Sequence, residues 1–128
     1  MSQTINYIQR LTNIPSPTGY TTEIMDYVAR EVTSYGYQAN RTNKGGIMVT
    51  VPGTNDQQHR ILTAHLDTLG AIVRAVKPDG RLKMDLIGGF VYNAIEGENC
   101  TIHVSKNGHN ISGTILLHQT SVHVYKDA

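Results

Sequence analysis

This chain of 128 residues has one cysteine, a net charge close to zero and no long apolar run. Cys100 is its single cysteine, which excludes an internal disulfide and a cysteine-rich zinc site. The formal net charge is +1 and 16% of the residues are charged, so the composition indicates neither a nucleic-acid partner nor a membrane partner. No apolar run approaches a bilayer span, and the first residues lack the basic start and apolar stretch of a signal peptide. We therefore expect a soluble, cytoplasmic protein with one modest core.

The first half of the chain combines two predicted helices with predicted strands. Apolar residues three apart, beginning at Ile5, predict a short helix that ends at Pro15. A second helix is predicted from Thr21 or Thr22 to Gly36. Three strands are then predicted, at 37–42, 47–51 and 60–67. The third is the most apolar, which predicts a central strand buried on both faces between helices.

The second half of the chain has the short, alternating stretches typical of β structure. Two hairpins are predicted, 71–76 with 81–86 and 100–105 with 109–117. No helical pattern separates them, which predicts a small β-barrel or β-module. We expect the α/β fold class with a domain boundary at Gly70. Residues 1–70 are then an incomplete α/β/α sandwich, and residues 71–128 are a β-rich domain, itself incomplete.

The end of the predicted strand 60–67 carries a histidine and a carboxylate two residues apart. Side chains at this spacing share one face of a strand, so His65 can ligate a metal while Asp67 holds a nearby group in place. The pattern alone is weak, because six histidines and ten acidic residues give about 0.5 such pairs by chance. Without context, a buried histidine satisfied by hydrogen bonds is favoured about three to one. The position before Gly70, at the end of an apolar strand, favours a site, because open α/β sheets bind ligands there.

The remaining histidines have no helical His-x-x-x-His spacing and are interpreted as surface residues: His59, His103, His109, His118 and His123. The sequence also has no Gly-x-Ser-x-Gly elbow, no phosphate-cradling loop and no paired cysteines. The candidate chemistry is therefore confined to the pair of His65 and Asp67.

Several short motifs occur in an order that resembles the N-terminal part of the tetrahedral (glutamyl) aminopeptidase family. They are 16–19, 64–70, 79–80, 87–89 and 113–115, with a late histidine. The resemblance implies a cytoplasmic metallopeptidase with two zinc or cobalt ions, some of whose relatives are labelled endoglucanase. It also implies an α/β/α catalytic domain that is interrupted after the His-x-Asp strand by a β-rich dimerisation domain.

The resemblance also implies roles for individual residues. His65 matches the first metal ligand of the family, and Asp67 matches the catalytic carboxylate that orients a ligand beside the metals. Thr68 stands where the family usually has Glu, which bears on substrate preference or metal tuning. The implied reaction is metal-assisted amide hydrolysis, in which two ions activate a water and hold the N-terminal end of a peptide. The family's remaining ligands follow its dimerisation domain and have no counterpart in these 128 residues.

Two functions are compatible with the sequence. One is an N-terminal fragment of a di-metal aminopeptidase, a truncated product that is inactive alone because a catalytic zinc needs about three protein ligands. The other is a non-catalytic interaction module derived from that family, which assembles through the β-rich domain. In both cases unpaired strand edges and half-covered apolar faces predict a homo-oligomer.

Overall fold

The computed structural model describes residues 2–55, 57–104 and 108–116. Two α-helices, a short 3-10 helix and six strands lie in these ranges: α1 (Gln3–Thr12), α2 (Thr22–Ser34), β1 (Asn40–Arg41), β2 (Ile47–Met48), β3 (Gly70–Val76), β4 (Leu82–Ile87), the 3-10 helix (Tyr92–Ala94), β5 (Asn99–His103) and β6 (Asn110–Thr114). The described strands form three antiparallel pairs, β1–β2, β3–β4 and β5–β6. The coarse prediction of an α/β protein is confirmed. No helix of the described ranges is both long and apolar enough to cross a membrane.

Both predicted helices are confirmed, and their ends follow from local chemistry. The Ser2 hydroxyl accepts a hydrogen bond from the amide of Ile5 at the start of α1. Helix α2 ends at Ser34, and Gly36, just beyond the C-cap residue Tyr35, has a φ of 84° that is readily adopted only by glycine. Thr21 occupies the N-cap position of α2, but its side chain makes no capping hydrogen bond. Ile24 on α2 is the one fully buried apolar side chain among the described residues, so the core is small.

Polar side chains join α1 to α2. The Tyr7 hydroxyl donates to Glu31 Oε2 at 2.9 Å and lies 2.6 Å from the Tyr35 hydroxyl. Gln3 Nε2 donates to the same Tyr35 hydroxyl at 2.7 Å. These contacts with Tyr35 and Glu31 raise the pKa of Tyr7, since each stabilises the protonated phenol. Hydrogen bonds of Gln3 and Tyr7 with side chains of Glu31 and Tyr35 therefore link α1 to the end of α2.

The hairpin of β3 and β4 forms as predicted. The amide of Lys77 donates to the Arg81 carbonyl at 2.8 Å, and Gly80 adopts a φ of 82° in the connecting turn. Across the sheet, Arg74 forms an ion pair with Asp85 at 2.5 Å. The predicted pairing of the last two strands is confirmed by the continuous register of β5 with β6. The turn between β5 and β6 falls partly on residues 105–107, which lie outside the described ranges.

The prediction of a buried third strand at 60–67 is wrong. These residues belong to no strand, and the side chains of Ile61 and Leu62 are 88% and 99% exposed. A strand needs a hydrogen-bonded neighbour and, when apolar, a covering layer. Within the described part of the chain, residues 61–65 have neither. The strands predicted at 37–42 and 47–51 are confirmed only as the two-residue pair β1–β2.

The chain divides into two compact units, Met1–Gly89 and Phe90–Ala128. The first contains both α-helices, β1–β2 and the β3–β4 hairpin, and the second contains β5–β6. The change from helices to hairpins nevertheless comes at Gly70, where β3 begins. The three-layer sandwich, the barrel and the domains 1–70 and 71–128 stay predictions.

Candidate functional site

The segment that carries His65 and Asp67 is held by a loop from a distant part of the sequence. We call residues 16–19 the docking loop. The Ser16 side chain is completely buried, and its hydroxyl donates to the Leu66 carbonyl at 2.8 Å. On the other side, the amide of Thr68 donates to the Ser16 carbonyl at 2.9 Å. The hydroxyl and the carbonyl of Ser16 thus hold the chain on both sides of Asp67, at the end of the predicted strand 60–67.

A glycine lets the docking loop approach the start of β3. A Cβ atom on Gly70 would lie 2.7 Å from the Cβ of Pro17, closer than side chains tolerate. Pro17 also pairs with Thr68 in an isolated parallel bridge. Because Gly70 has no side chain, the ring of Pro17 can lie directly against the backbone. This close approach fixes the end of the segment that begins at His65.

Both carboxylate oxygens of Asp67 are engaged. Oδ2 accepts a hydrogen bond from the Thr18 hydroxyl at 2.8 Å, and Oδ1 lies 3.1 Å from His65 Nδ1. These two contacts, that of Thr18 first, hold the pKa of Asp67 below its usual value because each favours the charged carboxylate. The carboxylate is therefore ionised at neutral pH and fixed from two sides.

The imidazole of His65 is oriented at one nitrogen and open at the other. Its side chain is 86% exposed, so the structure does not support the interpretation of a buried histidine. When Nδ1 carries the proton and donates it to Asp67, Nε2 keeps its lone pair for an outside partner. A carboxylate that orients a histidine in this way is the usual second partner of a metal-ligating imidazole. The structure therefore brings the predicted pair into contact, on an irregular segment rather than on a strand.

The other predicted positions lie apart from this pair. His59 and His109 are exposed as expected, while His103 is half-buried in β5. His118 and His123 lie outside the described residues. In ranges 2–55, 57–104 and 108–116, no three His, Cys, Asp or Glu side chains are grouped so that they could hold a metal ion. The roles of His65 as ligand and Asp67 as positioning carboxylate stay predictions.

Sequence reasoning assigned no contact to Ser16 or Thr18. Their partners are 50 and 49 residues away in the chain, so no local periodicity marks them. The available signal was the sequence Ser-Pro-Thr-Gly, which indicated a loop and contributed to the family resemblance. What that loop supports becomes visible only in the folded chain.

Comparison with known proteins identifies similar sequences. Residues 45–128 match the family model described as M42 glutamyl aminopeptidase. The chain is 53% identical, over 126 residues, to "Putative aminopeptidase YhfE" of Bacillus subtilis (strain 168). That match covers 98% of this chain and 36% of the relative. The chain is also 29% identical over 96 residues to "Glutamyl aminopeptidase" of Lactococcus lactis subsp. cremoris (strain MG1363), with 74% of the chain and 27% of the relative covered. It thus spans about a third of the length of these relatives.

Proposed function

The chain belongs to the M42 glutamyl aminopeptidase family, and from this premise we propose that it is the N-terminal part of a di-metal aminopeptidase. In this proposal His65 is a metal ligand through Nε2, and Asp67 is the carboxylate that positions it. The observation that carries the proposal is the contact between Asp67 Oδ1 and His65 Nδ1, which leaves Nε2 open. The substrate class is a peptide with a free N-terminus, as the relatives' names indicate for those proteins.

Among the described residues, Nε2 of His65 fits one ligand position of such a centre. Two zinc or cobalt ions would supply an activated water and a positive charge beside the scissile carbonyl. A catalytic zinc takes about three protein ligands, and the described residues bring only His65 to this corner. We therefore infer that these 128 residues do not turn over peptides by themselves. The match covers only 36% of the Bacillus subtilis relative, which supports the proposal that the missing ligands come from the rest of such a protein.

A chimera tests the proposed function. The matched part of the Bacillus subtilis relative is replaced by this chain, and release of N-terminal residues from peptide nitroanilides is assayed with added zinc or cobalt. We expect turnover by the chimera, and a loss of more than about 100-fold in His65→Ala, since even supporting residues of metal sites cost 10–100-fold. His59→Ala, which removes an exposed histidine six residues away, is the matched control and should retain activity.

Two results would contradict this proposal. Turnover by the isolated 128-residue chain would show that the further ligands are unnecessary. Equal activity of the chimera and its His65→Ala variant would remove His65 from the metal centre.

As a second candidate function we propose a homo-oligomeric interaction module in the cytoplasm, and two observations on the strands support its self-association. Each described sheet has two strands, so every strand keeps one unpaired edge. The β3–β4 hairpin also exposes large apolar side chains, which are Ile72, Val73, Val76 and Met84. We propose that this hairpin supports self-association, in the enzyme or without catalysis. Light scattering of the chain at micromolar concentration should give an oligomeric mass, and a monomeric mass would count against the proposal.

A further inference from the structure

The Thr18 hydroxyl donates a hydrogen bond to Asp67, and the carboxylate of Asp67 in turn contacts His65. We infer that Thr18 is a positioning residue of the candidate metal corner, acting through Asp67 to hold His65 with Nδ1 protonated and Nε2 open. The inference deepens the proposed function and rests on it for the meaning of the open nitrogen. It assigns the docking loop a role in the site rather than in stability alone.

The geometry forms a relay of three side chains. Thr18 Oγ1 donates to Asp67 Oδ2 at 2.8 Å, and Asp67 Oδ1 faces His65 Nδ1 at 3.1 Å. The torsion that rotates a carboxylate about its last bond is broad and has no sharp rotamer wells. A single contact to His65 would therefore leave the carboxylate plane free to swing. The second contact, from Thr18 to the opposite oxygen, fixes that plane.

Thr18 is itself held in a fixed direction. The amide of Tyr20 donates to the Pro17 carbonyl at 2.7 Å, and Gly19 has a φ of 91°. Residues 17–20 thus form a four-residue turn in which Gly19 is the third residue. A type II turn requires a positive φ at that position. The residue before the turn, Ser16, is buried and is hydrogen-bonded to Leu66 and Thr68 on either side of Asp67. The Thr18 hydroxyl is consequently presented to Asp67 by a backbone that is already fixed.

The relay predicts an effect on the imidazole more than on stability. Thr18 is exposed, so water competes for its hydroxyl and the hydrogen bond contributes little to the free energy of unfolding. The proton on a neutral imidazole is placed by the hydrogen bond at Nδ1. Loosening Asp67 should therefore let the His65 proton redistribute between its two nitrogens. A merely structural role for Thr18 would not produce that change.

The test uses the 128-residue chain without metal at pH 8, where an ordinary histidine is neutral. Proton–nitrogen correlation spectra of the imidazole distinguish the protonated from the unprotonated ring nitrogen. We expect His65 to be protonated at Nδ1 in the parent chain and to become a mixture of both forms in Thr18→Val. Thr18→Ser should restore the parent spectrum. Thr33→Val removes a hydroxyl that donates to the Ala29 carbonyl within α2, and this control should leave His65 unchanged.

Loop integrity is monitored in the same samples through protection of the Thr68 amide. If valine displaces the loop, Thr18→Ala removes the hydroxyl without added bulk, and the same mixture of forms is expected. An unchanged His65 spectrum in Thr18→Val or Thr18→Ala would overturn the inference, as would failure of Thr18→Ser to restore the parent form.

A zinc titration of the chimera described under Proposed function, and of its Thr18→Val variant, separates this inference from the proposed function, because the chimera also contains the ligands of the longer relative. Zinc should perturb His65 Nε2 in the chimera, with roughly tenfold weaker binding in the Thr18→Val chimera, the lower end of the cost of losing a supporting contact. If Thr18→Val redistributes the proton in the 128-residue chain but zinc leaves His65 unperturbed in the chimera, the relay stands and the metal role of His65 fails. If zinc binds at Nε2 with equal affinity in both chimeras and the proton does not move, the metal role stands and the relay fails.

Discussion

Removing the Ser16 hydroxyl should loosen the segment that carries His65 and Asp67 while leaving the helices intact. Ser16 is the one polar residue that is completely buried among those described, and its hydroxyl supplies a donor to the Leu66 carbonyl at 2.8 Å. Ser16→Ala takes that donor away where water has poor access. An acceptor left unsatisfied in a buried position costs about 1–3 kcal/mol, and a typical hydrogen bond contributes about 1 kcal/mol. For a half-buried carbonyl we expect a loss of about 1–2 kcal/mol.

Amide hydrogen exchange reports this loss locally. The Thr68 amide is bonded to the Ser16 carbonyl, so its exchange follows opening of the docking loop from the segment. A cost of about 1–2 kcal/mol corresponds to roughly 5- to 30-fold faster exchange of this amide. Amides in the middle of α2 should not change, because the hydrogen bonds of Ser16 join it to Leu66 and Thr68.

A matched control removes a serine hydroxyl that lies at the surface. Ser34 Oγ donates to the Glu31 carbonyl at 2.7 Å at the exposed end of α2. Ser34→Ala should leave Thr68 exchange unchanged. Unaltered Thr68 exchange in a folded Ser16→Ala variant would refute the reasoning that the docking loop holds the segment.

Three further predictions concern other parts of the first unit. Gly70→Ala should cost about 1–3 kcal/mol by overpacking against Pro17 and should accelerate Thr68 exchange, whereas equal exchange would contradict the close approach. Hydrogen bonds from Arg81 lower the pKa of Asp79, so stabilisation of the β3–β4 turn is full above the ordinary carboxyl pKa and disappears as the pH falls through the lowered value. Urea titrations should accordingly show the parent chain more stable than Asp79→Asn at pH 7 and equal to it at the acid end, and a constant difference would refute this. Leu62→Ser should change the free energy of unfolding by less than about 0.5 kcal/mol, because the side chain is 99% exposed, and a larger loss in urea would show that Leu62 is buried.

Local features of this protein were predictable because they depend on residues close in the chain. The apolar spacing from Ile5 predicted α1, and a proline followed by aspartate and glycine at 78–80 predicted the β3–β4 turn. The proximity of His65 and Asp67 was also predictable, since only two residues separate them. The two side chains are in contact although residues 60–67 form no strand, because the contact depends only on the chain between them.

Residues 60–67, which the apolar pattern predicts as a buried strand, show the limit of prediction from local sequence. An apolar stretch indicates that burial would stabilise it, but burial also requires another element to cover it. At Ile61 and Leu62 no described element does so, and the side chains are exposed. The pattern of the stretch was interpreted correctly as apolar, while the covering layer could not be inferred from the stretch itself.

The sequence by itself determined the helices, the hairpins and the adjacency of His65 with Asp67, because hydrogen bonds and side-chain spacing over a few residues specify them. The tertiary structure alone decided what supports that pair. Ser16 and Thr18 reach it across 50 and 49 residues, and Gly70 admits Pro17 by lacking a side chain. Contacts of this kind depend on how distant segments pack, and no spacing along the chain encodes them.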